Sequence, residues 1–201
     1  MPATVQAFDH HHHHSSDHSS DGGGGCSSPD SSSSTVLSPP PPPAPSPKHV
    51  FVTSALYTGA IGSANAADAR CQERAVAAGL SGSFTAWISD GTTNAYDRTA
   101  DVGPWYTTRG ELAFAQKSDL RNGSPATDLL DENANPASVD GAWSGTTAAG
   151  LASGNDCDGW TNAGAGVGAS IGSALGLDTS WGGDDTTATC DGKAALICFQ
   201  Q

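Results

Sequence analysis

The chain has 201 residues, with 21 acidic against 8 basic side chains and a net charge of −13. Without a basic cluster it does not suit phosphate backbones, and its sign disfavours anionic membranes and sulfated glycans. No apolar run approaches the ~20 residues that a transmembrane helix needs. Nucleic acid and a membrane span are set aside.

Residues 1–48 read as a disordered tail and linker, and 49–201 as one domain of ordinary size. Met1 to Asp9 lacks the basic and apolar regions of a signal peptide. His10 to His14 with His18 can bind a divalent metal through imidazole nitrogens, although an expression tag or a solvated low-complexity segment explains the run better. Gly22 to Gly25 and the serines up to Ser34 form a flexible coil around Cys26, the odd cysteine of five. Pro39 to Pro43, continued by Pro45 and Pro47, favours a stiff polyproline spacer. The spacer holds the domain away from whatever the tail attaches to, so a surface tether through the tail is expected.

The domain opens on an apolar, β-prone run, His49 to Ser54. Ser63 can N-cap a helix over Ala64–Ala78, with Gly79 at the position after its end. Ala67, Cys71, Ala75 and Ala78 share one face, which buries the side of Cys71. Phe84 to Ile88 alternates like a strand and stops at Ser89-Asp90-Gly91. Trp105–Thr108 and Glu111–Phe114 around Arg109-Gly110 suggest a hairpin, and Ser118–Leu120 a short turn or helix. From Asp128 onward loops dominate, broken by Ala142-Trp143-Ser144-Gly145 and by Cys157-Asp158-Gly159-Trp160, and the glycine-rich stretch from Gly164 to Gly176 has no period and reads as loop. Ala194 to Phe199, bounded by Asp191-Gly192 and the terminus, reads as a buried strand.

Large apolar residues are scarce, so a core of small side chains and five tryptophans gains from covalent staples. Cys71, Cys157, Cys190 and Cys198 allow three pairings, and no Cys-x-x-Cys suggests zinc or redox chemistry. Disulfides persist in oxidising compartments, so the domain is expected to be secreted or on the cell surface.

Ala69-Arg70-Cys71-Gln72, the run from Ala78 to Ser89, Asp131-Glu132-Asn133, Trp143-Ser144-Gly145-Thr146, Cys157-Asp158-Gly159-Trp160, Cys190 and Leu196–Phe199 follow one another in a specific order. As an ordered set they resemble the C-type-lectin-like superfamily, closest to its endostatin-like branch and to a family of secreted bacterial domains of unknown function. The resemblance spans about Val50 to Gln201. It implies an α+β domain with a mixed, mostly antiparallel sheet, a helix near the start, and first and last strands meeting in that sheet. It also implies nested bridges, Cys71–Cys198 and Cys157–Cys190, and a ligand-binding face in the long loop region. By chain entropy the first bridge would contribute about 5 kcal/mol and the second about 3.5–4. The basic, heparin-binding surface of animal endostatins has no counterpart in this acidic chain. The sugar-chelating triplets of calcium-dependent lectins are reduced to Trp181-Gly182-Gly183-Asp184-Asp185, with no Glu-Pro-Asn counterpart upstream of Cys157.

Several residues are candidates for a site. Asp184 and Asp185, with Asp131, Glu132 and Asn133, are hard oxygen donors of the kind Ca²⁺ takes, although acidic turns serve as well. Exposed tryptophan stacks on sugars and anchors protein interfaces. Trp87, Trp143 and Trp160 sit at core landmarks, whereas Trp105 and Trp181 lie in polar, glycine-rich settings and are the surface candidates. His49 is the sole domain histidine, and no nucleophile elbow, Walker loop or His-Glu-x-x-His is present. Asp131 and Glu132 would have to act as a carboxylate pair for a hydrolase, but adjacent acids are commoner as turn formers. The expectation is a non-catalytic module for an extracellular protein or glycan, with a calcium-dependent lectin and a carboxylate hydrolase as the alternatives.

Overall fold

In a computed structural model that describes residues 39–42 and 46–201, β1 (Lys48–Val52) lies beside the last strand of the chain. The expectations for the histidine run, Cys26 and the serine coil lie outside the described residues. α1 (Ala64–Ala77) follows, then β2 (Phe84–Ala86), a short α2 (Ala95–Arg98), β3 (Trp105–Tyr106) and β4 (Leu112–Phe114). β5 (Gly141–Trp143), β6 (Gly168–Ser173), β7 (Thr187–Thr189) and β8 (Ile197–Gln200) complete the order. Two 3-10 turns, Lys117–Leu120 and Thr179–Gly182, sit between them.

Five strands form one sheet in the order β2-β8-β1-β3-β4, antiparallel except for the parallel pair β1–β3. The mixed α+β class, with few helices and two disulfides, is as expected. Side chains alternate across a strand. In β1, Phe51 enters one core cluster while Val50 and Val52 enter the other. Around β8, Leu196 and Cys198 go to the first side and Ile197 and Phe199 to the second. Both faces of the central strands are therefore covered, which is why the run from Ala194 to Phe199 is apolar without a polar alternate.

α1 covers the first face. Ser63 accepts from the Ala66 N–H at 3.0 Å, satisfying one of the donors left open at a helix start. The chain leaves the helix through Gly79 at φ +74, a left-handed conformation that glycine adopts without a Cβ clash. Ala64, Ala67, Cys71 and Ala75 are buried, and their small size brings the helix close to the sheet. Asp68 and Gln72 side chains accept from the Ala86 and Phe84 N–H groups, so α1 also closes the outer edge of β2.

The bridges are Cys71–Cys198, with a sequence separation of 127, and Cys157–Cys190, with a separation of 33. The first ties α1 to β8, and the second ties the long excursion after β5 to the approach of β8. Both pairings are those the resemblance implied.

The region after Asp128 corrects the expectation of loops. β5, β6 and β7 make a second, antiparallel sheet in the order β5-β6-β7, and its middle strand runs through the glycine-rich stretch. A Cβ on Gly172 would lie 2.1 Å from the Trp181 carbonyl oxygen, so only glycine lets the 3-10 turn pack against this strand. The second sheet joins the first where the Trp143 N–H donates to the Ala195 carbonyl at 2.9 Å and the Ala195 N–H to that of Gly141 at 3.0 Å.

Cys157–Trp160 is a left-handed turn, with φ values of 53, 54, 67 and 66. Three of the four residues are not glycine, and each such residue costs about 1–2 kcal/mol. The turn is held by the Asp156 carboxylate accepting from the Gly159 N–H, by the Cys157 bridge and by the Trp160 indole on the Ser89 carbonyl.

Replacing Cys71 and Cys198 together by alanine is expected to cost about 2–5 kcal/mol. Urea denaturation against the unaltered chain measures it, and an unchanged midpoint would show that the bridge contributes little.

Candidate functional site

Every tryptophan is buried. Trp105 is 0% exposed and donates its indole N–H to the Gln200 carbonyl at 2.8 Å; Trp181 is 1% exposed and donates to the Gly123 carbonyl at 3.1 Å. Trp105 stands edge-on to Phe199, while Trp181 packs against Trp87, Phe114 and Phe199. This corrects the expectation that these two are surface residues. The local sequence is polar and glycine-rich because the glycines let backbone approach the rings, not because the rings face water. Gly103 is one such case, since a Cβ there would meet the Trp105 ring at 2.7 Å.

Asp131, Glu132 and Asn133 occupy one turn but do not form one site. The Asp131 carboxylate is spent on the turn itself, accepting from the Asn133 and Asn135 N–H groups at 2.8 Å each. The Glu132 side chain is 0% exposed and ion-paired to Arg74 of α1. Arg74 Nε donates to Glu132 Oε1 at 2.6 Å, while the Ser54 hydroxyl and N–H donate to Oε1 and Oε2 at 2.6 and 2.8 Å. Burial pushes the Glu132 carboxyl up, but the hydrogen bonds from Ser54 and Arg74 outweigh it and hold it below the usual carboxylate range. An ionised, enclosed carboxylate has no proton to give and no open face, so Glu132 ties α1 to the segment after β1, while Asp131 holds its own turn. Only Asn133 of the three is exposed.

Asp184 has a different setting. With Asp140, Gly141, Ile171, Gly172, Ser173, Ser180 and Thr186 it lines a groove of about 280 Å³ on the second sheet. Asp185, its expected partner, is exposed and is not among the lining residues. β5 and the residue before it bring Gly141 and Asp140, β6 brings Ile171 to Ser173, and the 3-10 turn and the loop after it bring Ser180, Asp184 and Thr186.

The hydrogen-bond direction within the groove decides what it can hold. Asp140 Oδ1 accepts from the Ser173 hydroxyl at 2.6 Å and the Leu175 N–H at 3.2 Å. Asp184 Oδ1 accepts from the Thr186 N–H at 2.6 Å, and the Ser180 hydroxyl donates to Asp178 at 2.5 Å. The Ser173 and Ser180 protons are thus committed, leaving lone pairs and the Oδ2 atoms of both aspartates. Among the described residues no basic side chain forms an ion pair with Asp140 or Asp184. Apart from the Thr186 hydroxyl the groove presents acceptors, so it suits a ligand that donates hydrogen bonds.

Among the described residues no group of three or more His, Cys, Asp or Glu side chains comes together as a metal site. Ca²⁺ takes roughly six to eight oxygens. The groove brings two carboxylates and three hydroxyls, with one oxygen of each carboxylate already engaged. That donor set fits a hydroxyl- or amine-bearing ligand better than it fits Ca²⁺.

Asp140, Ser173 and Ser180 are absent from the sequence expectations. Asp140 is an isolated acid before a glycine, and its partner Asp184 lies beyond a strand read as loop. The sequence matches no protein-family model and no curated protein.

Glu132→Gln is expected to lose about 1.5–3 kcal/mol at neutral pH, the worth of a hydrogen bond to a charged group. The folded carboxyl titrates below the ordinary glutamate value of about 4.3, so its contribution is complete above that value and disappears as pH falls through the folded one. Melting curves below about pH 5 should therefore fall more steeply for the unaltered chain than for the variant. Parallel acid limbs would assign the pH dependence to other carboxylates.

Proposed function

We propose that this chain is an extracytoplasmic, non-catalytic recognition module of C-type-lectin-like architecture, binding a protein or glycan through the region after Asp128. The carrying observation is the acceptor-rich groove on the second sheet, with Asp140 and Asp184 each offering an oxygen that no described residue engages. At about 280 Å³ it lies near the lower end of small-molecule sites, roughly 300–1,000 Å³, which suits one sugar residue or one side chain.

The architecture is supported by three features taken together. β1 and β8 are paired, the bridges are nested, and a second sheet carries the groove in the place the resemblance gives to ligand. The compartment is supported by two disulfides. Among the described residues no helix is long and apolar enough to cross a membrane. Attachment, where it occurs, would run through the tail and its proline spacer.

A ligand selected on the unaltered chain from glycan and peptide arrays should bind the Asp140→Asn/Asp184→Asn variant at least about tenfold more weakly. Undiminished binding would remove the groove from the reading. A parallel melt with Ca²⁺ separates the calcium-dependent lectin, because a ligand of the folded state raises stability as RT ln(1 + [L]/Kd). A clear upward shift, abolished in the same variant, would promote that alternative.

A further inference from the structure

We infer that the outer edge of β7 takes an extended, cationic segment of a protein partner as an added strand. The inference rests on the recognition reading above and names the partner.

Each sheet edge has a definite state. β2 is closed by Asp68 and Gln72 of α1, and the Ala113 carbonyl of β4 accepts from the Ala126 N–H. β5 is joined to Ala195. β7 has no such cover among the described residues. Its register on β6 places Thr187 opposite Ser170, Ala188 opposite Ala169 and Thr189 opposite Gly168. The Ile171 N–H donates to Thr186 and the Cys190 N–H to Val167, so by antiparallel alternation Ala188 bonds inward while Thr187 and Thr189 turn their polar backbone outward. The Thr189 carbonyl is taken by the Gly192 N–H. The Thr187 N–H and C=O and the Thr189 N–H have no partner among the described residues. These three groups alternate as a strand partner requires, and the side chains of Thr187 and Thr189 are exposed beside them.

Charge selects the partner. Asp184 and Asp185 precede the edge and Asp191 follows it, against Lys193 as the one base in that stretch. The chain as a whole is strongly acidic, so an approaching lysine-rich segment is attracted and a glutamate-rich one repelled. Thr186 lines the groove and Thr187 starts the edge, so a side chain at the end of an added strand lies near the unpaired Asp184 oxygen.

The test uses the full chain with two short peptides, acetyl-Lys-Val-Lys-Val-Lys-Val-Lys-amide and the same sequence with Glu for Lys. The lysine peptide is expected to bind and to slow hydrogen exchange at the Thr187 and Thr189 amides by at least about tenfold. Thr187→Pro removes an outward N–H without touching the ladder, so it should weaken binding about tenfold and leave the melting curve unchanged. A lysine peptide N-methylated at alternate residues should lose as much, and it decides the matter if the proline variant does not fold. Equal binding of both peptides, or protection away from residues 187–189, overturns the inference. So do Thr187 and Thr189 amides already slow in the peptide-free chain, where the tail or a second copy covers the edge. A glycan that binds at Asp140 and Asp184 while neither peptide binds also overturns it, and leaves the recognition reading in place.

Discussion

The structure depends on burying the paired strands β1 and β8 on both faces. Phe199 and Ile197 need one cover and Cys198 and Leu196 another, so a layer must exist on each side of the sheet. α1 supplies the first with alanines and a cysteine, and the chain from β3 through the 3-10 turn at Thr179–Gly182 supplies most of the second. A slip of one residue would exchange the two sets of side chains, placing the Cys71–Cys198 bridge on the wrong face. Register, disulfide and helix placement are thus one constraint.

Small residues cannot fill the second layer, and Trp87, Trp105 and Trp181 do, while Trp143 and Trp160 pack into the first. Each ring also donates its indole N–H to a distant main-chain carbonyl: Trp87 to Gly182, Trp105 to Gln200, Trp143 to Tyr57, Trp160 to Ser89 and Trp181 to Gly123. A buried ring with its one donor satisfied fixes an irregular segment without needing regular structure there. This accounts for a chain that spends long stretches outside helices and strands yet buries all five indoles. On the proposed reading it also separates stability from recognition, since all five tryptophans are committed to the interior.

β1, α1, the β3–β4 hairpin and β8 were legible because their apolar period or their caps are local. Ser63 and Gly79 bracket α1 as the sequence alone implies. β5 to β7 were not legible. Apart from Trp143 and Ile171 their residues are Gly, Ala, Ser and Thr, whose strand state comes from neighbours such as Trp181 against Gly172 rather than from propensity. The left-handed turn at Cys157–Trp160 was equally hidden, because its stability lies in a bridge, an indole and a carboxylate. Of the candidate site, Asp184 was legible as an acid before a cysteine. Asp140 was not, because no local pattern signals the sheet that brings the two together.

An acidic domain pays for every uncompensated carboxylate through mutual repulsion, and some here are paired with a base or held in a turn. Asp68 meets Arg98, Glu132 meets Arg74, Asp97 lies by Arg121, and Asp131 caps its own turn. Asp140 and Asp184 are also hydrogen-bonded, but through one oxygen each, on a face where the Ser173 and Ser180 hydroxyl protons are already engaged. Such a surface is held in place by the fold while its remaining acceptors are satisfied only from outside. Water does so in the free chain, and a ligand improves on water only by bringing donors fixed at matching positions. Rigidity in the main sheet and unpaired acceptors on the second sheet are therefore complementary. On the proposed reading, the first holds the acceptors at fixed positions and the second offers a ligand its hydrogen-bonding partners.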